Sequence, residues 1–385
     1  MYKDLSVYIH IPFCIKKCSY CDFISAAPNK GELQAYKNAL CEEIRQAYGY
    51  ADRYNIRTVF IGGGTPSIYP PDVISDILSC LKETFEQRRP GSFVPCEITI
   101  ECNPGTLNES KLITYKKAGI NRLSIGLQSA DDNELKFLGR IHTYSEWEES
   151  IRLAHKIGFT NINTDIISGI PYQTEDSFKE TLKKAVCHNP EHISVYSLII
   201  EEGTPFYDMF GPGKIGDYEL DLWEERDRKI YEFTNEYLSA CGYNRYEISN
   251  YAKEGYECAH NMVYWKRGDY LGFGLAAASM TDNVRFSVTD SLGEYLNPDA
   301  VHVKGRHVLE KSEQMSEYMF LGLRLTQGIS INDFYDTFGV DIYQVYEDVI
   351  DKWKQTGMLN IKNGRIFCSE KGLNICNMIM ADFLL

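Results

Sequence analysis

The stretch Val7-Tyr8-Ile9-His10-Ile11-Pro12-Phe13-Cys14-Ile15-Lys16-Lys17-Cys18-Ser19-Tyr20-Cys21-Asp22-Phe23 carries the most information in this chain. Residues 7–11 form a run dominated by apolar, β-branched Val7, Ile9 and Ile11, the composition of a buried strand, and three cysteines follow at the spacing C-x3-C-x2-C. A [4Fe-4S] cluster has four irons, and storage or electron-transfer sites normally ligate all four with thiolates. Cys14, Cys18 and Cys21 supply three and leave one iron open to a non-protein ligand, the condition for chemistry at a metal. Two other readings compete. Three unrelated buried thiols would need no such spacing. A zinc site would call for a fourth nearby Cys or His, which is missing here.

Working outward, residues 7–200 alternate strands with helices. Short β-branched segments fall at 7–11, 58–61, 97–101, 122–126, 161–167 and 193–198. Amphipathic helix-length stretches fall between them at 32–48, 71–84, 108–117, 145–157 and 175–187. Such repeated βα units predict parallel strands with helices outside, curled by right-handed crossovers into a barrel or part of one. In that architecture the chemistry sits at the carboxyl ends of the strands.

The strand ends fit this expectation. The second closes on Gly62-Gly63-Gly64-Thr65-Pro66, where glycine lets the backbone approach a ligand with free N–H groups pointing outward, or simply makes a tight turn. The third closes on Glu101-Cys102-Asn103-Pro104, the fourth on Gly126-Leu127-Gln128-Ser129 followed by Leu138-Gly139-Arg140, and the fifth on Asp165-Ile166-Ile167-Ser168-Gly169. Each rim residue alone is unremarkable; together they are the pattern of a site built from βα loops.

The cysteine spacing resembles the radical S-adenosylmethionine (SAM) superfamily, and Cys18-Ser19-Tyr20-Cys21-Asp22-Phe23 looks like its HemN/HemW branch. The resemblance implies an α/β fold: a radical SAM partial (β/α)6 TIM-like barrel with a smaller C-terminal α+β or helical domain. It implies a [4Fe-4S] cluster on Cys14, Cys18 and Cys21 whose open iron chelates SAM. Position by position it implies SAM contacts from Tyr8, Tyr20, Gly63, Gly64, Thr65, Glu101, Gln128, Arg140 and Asp165. Arg140 would suit the SAM carboxylate through a charge-assisted fork.

Within that branch, coproporphyrinogen oxidases carry another cysteine two residues beyond the third, where this chain has Phe23, and a longer segment before the cluster motif, where only 13 residues precede Cys14. Both departures, with His260-Asn261-Met262-Val263-Tyr264-Trp265, look like the HemW family of haem chaperones, which bind haem and SAM and pass haem to acceptor proteins, with membrane-associated respiratory enzymes as candidates. Haem is then the cargo. His260 becomes a candidate axial ligand, Tyr264 and Trp265 candidate stacking partners, and Cys258 a weaker ligand. His10, beside the cluster loop, reads as structural. The alternatives are a radical SAM enzyme acting on a porphyrin or porphyrinogen, such as an oxygen-independent coproporphyrinogen III dehydrogenase, or a binding protein whose cluster is structural.

Composition bounds the rest. The 385 residues are 44% hydrophobic, enough for one large core and a smaller one. Forty Lys and Arg against 54 Asp and Glu give a charge of −14, which argues against a nucleic-acid-binding surface. No apolar run approaches the roughly 20 residues of a membrane span, and no signal peptide is evident. Twelve cysteines without a leader point to a reducing cytoplasm, the nine outside the motif reading mostly as small core residues. The organisation expected is 1–205, the barrel with its cluster; 206–310, a barrel-completing α/β region holding the His260–Trp265 segment; and 311–385, a helical, winged-helix-like domain that packs or covers. In the middle region, 218–240 reads as a long helix, 243–251 as one strand, and 270–279 as a strand of small residues that something bulky approaches.

Overall fold

The computed structural model describes residues 2–29 and 31–385. Six strands form the parallel heart of the molecule: β1 (Lys3–Ile11), β2 (Tyr54–Gly63), β3 (Phe93–Cys102), β4 (Arg122–Gln128), β5 (Ile162–Ser168) and β6 (His192–Ser197). They lie side by side in sequence order, every pairing parallel. Leu5, Val7, Ile9 and Ile11 of β1 have no exposed surface, so the strand is buried by its neighbours and by the helices over its face.

Local chemistry sets the helix boundaries between these strands. Thr143 and Glu146 form a reciprocal capping box at the start of Tyr144–Ile157, and Gly158 ends that helix in the left-handed region at φ 90°. Asn108 and Thr174 cap Glu109–Lys117 and Glu175–Cys187 by accepting from the backbone N–H groups of Lys111 and Ser177.

The middle region extends the same sheet at both edges. Beyond β6 lie β8 (Asn250–Ala252) and β7 (Asn244–Arg245); beyond β1 lie β9 (Tyr270–Phe273), β10 (Ala278–Thr281), β11 (Val284–Val288) and β12 (Val303–Val308). Among the described residues the sheet therefore has twelve strands, and its ends do not pair with each other. Two sequence expectations are corrected here. Residues 243–251 are two short strands, because Glu247 turns inward and bonds the backbone N–H of Ser249 and the side chain of Asn250. Residues 270–279 are likewise β9, a turn with Ala276 at φ 56°, and β10. Close backbone approach does occur there: a Cβ on Gly272 would lie 2.3 Å from the Ala278 carbonyl oxygen.

The C-terminal part has its own core, with Met319, Phe334, Ile342, Ile350 and Phe383 at its centre. Helices Lys311–Gly322, Ile331–Phe338 and Ile342–Gln355 pack on a small antiparallel sheet of β13 (Ile329–Ser330), β14 (Leu359–Lys362) and β15 (Arg365–Cys368). Two ion pairs on the buried Glu317 tie it to the rest of the chain: the carboxylate accepts from the buried Arg267 at 3.0 Å and from the exposed Arg285 at 2.6 Å. Among the nine cysteines outside the motif, only Cys96 and Cys187 are exposed. No helix among the described residues is long and apolar enough to cross a membrane.

Candidate functional site

The carboxyl ends of β1–β6 surround a cavity of about 440 Å³. Cys14, Cys18, Cys21, Tyr20, Gly63, Gly64, Thr65, Glu101, Gln128, Arg140 and Asp165 all line it. Tyr8 does not. It sits one layer behind, its hydroxyl bonded to His10 Nδ1 at 3.0 Å, and lines a neighbouring cavity.

The three thiols are half-buried on the loop leaving β1. That loop is pinned from several sides: Cys14 N–H donates to Ala26, Ala26 N–H to Pro12, and Ser19 N–H to Leu138. His10 Nε2 meets the Ile24 carbonyl at 3.2 Å, a structural role as expected. The triple glycine buttresses the same loop. Gly64 N–H donates to Ile11 and Thr65 N–H to Phe13, both at 2.8 Å, while Gly63 N–H donates to Glu101 at 3.0 Å. The expectation of free N–H groups is thus corrected: the chain itself uses all three. Glycine is still required. Gly63 sits at φ 112°, and a Cβ on Gly64 would lie 2.7 Å from the Phe13 carbonyl oxygen, with only backbone to yield. Gly64→Ala should therefore displace the loop, costing about 1–3 kcal/mol. Thermal unfolding and iron content after reconstitution check this; unchanged values in both would show that the loop accommodates the methyl.

The residues fit an iron–sulfur cubane. Cys14 Sγ lies 3.4 Å from Thr65 Oγ1, Arg140 approaches Cys18 Sγ at 3.8 Å, and Ser25 Oγ, buried without a partner, lines the same space. Among the described residues, no three His, Cys, Asp or Glu side chains converge on a point for a single ion. A cubane needs no such convergence, since each thiolate binds a different iron. Burial pushes the Cys21 thiol up to about 11, so cluster assembly must release its proton.

The remaining wall is charged and sorted by sign. Burial, reinforced by repulsion from Asp165, pushes Glu101 up to about 8, opposed by the Gly63 N–H bond. Arg140 provides the positive charge, its Nη2 held by Asn103 Oδ1 at 2.8 Å, and Asn103 Nδ2 reaches Thr65 Oγ1 at 3.0 Å. Asp165 accepts from Ser124 and from Asn163, both at 2.8 Å. Gln128 adopts φ 67° where β4 slips register against β5, which turns its side chain over Gly126. A Cβ on Gly126 would lie 2.8 Å from Gln128 Nε2 and 3.2 Å from Arg140 Nη2.

Asn103, Ser124 and Asn163 were not singled out from sequence, and neither was the chain behind Asp165. Asn163 Oδ1 meets His192 Nδ1 at 2.6 Å, His192 Nε2 meets the Tyr246 hydroxyl at 2.8 Å, and that hydroxyl accepts from Cys258 N–H at 3.2 Å. Burial pushes the His192 pKa well down, so the ring is neutral. An amide oxygen only accepts, so Nδ1 donates and Nε2 receives the Tyr246 proton. Every proton in this line points toward the Asp165 carboxylate.

His260 is not placed as an iron ligand. It is 1% exposed, with Nδ1 at 2.8 Å from Thr58 Oγ1 and Nε2 at 2.8 Å from the Tyr264 hydroxyl. Burial lowers its pKa to about 3. Trp265 is also turned from its expected use, its ring covered by the Arg324 guanidinium at 4.3 Å. Cys258 is fully buried against Glu97. Tyr264 lines the cavity that adjoins the first one.

Sequential parallel strands with a three-thiol loop over their carboxyl ends define a partial barrel of the radical SAM type. Residues 8–185 match the model of the Radical SAM superfamily and residues 309–375 that of the HemN C-terminal domain. The protein from Bacillus subtilis named Heme chaperone HemW is 33% identical over 384 residues, covering 98% of this chain and 99% of its own. Its Escherichia coli namesake is 40% identical over 275 residues, 71% of this chain and 69% of its own. The solved structure of coproporphyrinogen III oxidase HemN from Escherichia coli, a radical SAM enzyme, shares the fold, with TM-score 0.83, 23% identity, and coverage of 100% of this chain and 90% of that one. The chain belongs to the HemW family of the radical SAM superfamily.

Proposed function

We propose that this protein is a haem chaperone that carries a [4Fe-4S] cluster on Cys14, Cys18 and Cys21, binds SAM in the adjoining cavity, and delivers haem to acceptor proteins. The observation that carries the SAM and cluster part is the single cavity joining the three thiols to Arg140 on one side and Glu101 and Asp165 on the other. SAM presents a carboxylate, an ammonium and a sulfonium, and the wall is sorted to match. Arg140 takes the carboxylate; Glu101 and Asp165 take the cationic and ribose groups; Gln128, Tyr20 and the Gly63–Thr65 backbone shape the pocket. When bound, the cluster supplies an open iron and a reducing electron. The haem part rests on the family, whose Bacillus subtilis member, matched over nearly the full length of this chain, is named a haem chaperone.

The test is transfer. Haem-loaded protein mixed with a haem-free acceptor should give up its haem, seen as a shift of the Soret band; haem retained against every acceptor tried would remove the chaperone role.

Glu101 gives the pH dependence its sign. With its pKa at about 8 in the unliganded site, it is mostly protonated at pH 7. A cation beside it favours the carboxylate, so binding releases up to one proton. SAM affinity should rise with pH by at most about tenfold per unit up to about 8, then level off. The unliganded fold moves the other way: a raised carboxylate pKa means stability lost as pH climbs from 4.5 to about 8. Dissociation constants from pH 6 to 9 check this, with Glu101→Gln expected to flatten the profile. A flat wild-type profile would place the cation elsewhere.

A further inference from the structure

A second cavity, also about 440 Å³, lies beyond the first, and Asp22 and Phe23 of the cluster loop line both. One side is aromatic. Tyr264 meets Tyr270 edge-on, with centroids 4.8 Å apart at 79°, and Tyr8 lies over Phe60 at 6.2 Å and 25°. Beside it, on the neighbouring strand of the same sheet, the turn from β9 into β10 brings Ala276, Ala277 and Ala278, which offer nothing longer than Cβ. At the lip, Phe23 is 60% and Ile24 40% exposed, adjacent apolar groups left facing water.

His260 explains how this wall is held. The Thr58 hydroxyl has one proton and donates it to Ser6 at 2.6 Å, so at Thr58 it can only accept from His260 Nδ1. The proton of His260 therefore sits on Nδ1, and Nε2 accepts the Tyr264 hydroxyl. The imidazole orients the tyrosine that lines the cavity.

We propose that this cavity seats the haem ring, laid against Tyr8, Tyr264 and Tyr270 and the short alanines beside them; the proposal rests on the chaperone reading above. Aromatic side chains next to residues no longer than a methyl group give a flat π-system a surface to stack on and room to lie down. Among the described residues its lining includes Asp22 and no Lys or Arg, so the carboxylates of the ring stay at the open rim in water. Phe23 then separates cargo from cofactor. Because both cavities share this wall, haem and SAM should alter each other's affinity by the same factor.

The test is an anaerobic titration of ferric haem into the cluster-loaded full-length protein, with SAM affinity measured alongside. Ala278 is exposed on β10, so Ala278→Trp can fill the cavity without entering the core. It should weaken haem binding by about tenfold or more, while Ala278→Ser stays near wild type. Phe23→Asp, on the exposed lip, should weaken haem several-fold. If Ala278→Trp loses SAM binding as well, its fold is in question and Phe23→Asp decides. Unchanged haem affinity in a folded Ala278→Trp, or in Phe23→Asp where that variant decides, would overturn the location while leaving the chaperone reading intact. A wild-type protein that binds no haem would overturn that reading itself.

Discussion

Cys18→Ala, like Cys14→Ala and Cys21→Ala, should yield a protein that no longer holds its iron–sulfur cluster: the absorbance near about 400 nm disappears after anaerobic reconstitution and iron content collapses. The effect is all-or-none because the three thiols lie on one short loop and no other His, Cys, Asp or Glu group converges with them among the described residues. Cys102 lines the same cavity but is buried in β3, with its thiol pushed far up by burial, which makes it a poor substitute. Cys41→Ala and Cys80→Ala are the controls; both residues lie in helices packed on the outside of the sheet and should keep the full spectrum. Full iron content in Cys18→Ala would remove the three-thiolate site.

The second large effect concerns SAM. A charge-assisted contact is worth about 1.5–3 kcal/mol, so Arg140→Ala and Glu101→Ala should each weaken SAM about tenfold to over a hundredfold. The cluster should remain in both. Arg140→Ala also frees Asn103, which the guanidinium holds at 2.8 Å, so its loss should sit toward the upper end. Equilibrium binding of SAM to the reconstituted variants measures this; unchanged affinity in both would show that the pocket lies elsewhere.

Much of this site was legible in the sequence because its signals are local. The six parallel strands announce themselves as β-branched runs, and helix Glu175–Cys187 falls where its periodicity puts it. The cysteine spacing and the glycine-rich and acidic strand ends carry their chemistry within a few residues. What escaped depends on contacts between distant segments. The line from Cys258 through Tyr246, His192 and Asn163 to Asp165 joins residues from β5, β6 and the loops around β8, and no spacing rule links them. His260 and Trp265 looked like haem partners because histidine and tryptophan are common ones; Thr58, Tyr264 and Arg324, which occupy them, come from three separate elements. The left-handed backbone of Gln128 is equally invisible, since glutamine gives no hint of positive φ.

Phe23 lies between the two cavities, exposed. Decarboxylation through a radical needs water and stray hydrogen donors excluded, and this loop leaves its apolar lip open. The most direct measurement is therefore one anaerobic assay: reconstituted protein, SAM, reductant, haem and coproporphyrinogen III, followed for bound haem and for protoporphyrinogen IX. Stoichiometric haem with no protoporphyrinogen IX is the predicted result; sustained conversion of coproporphyrinogen III would contradict it and make the protein an oxidase.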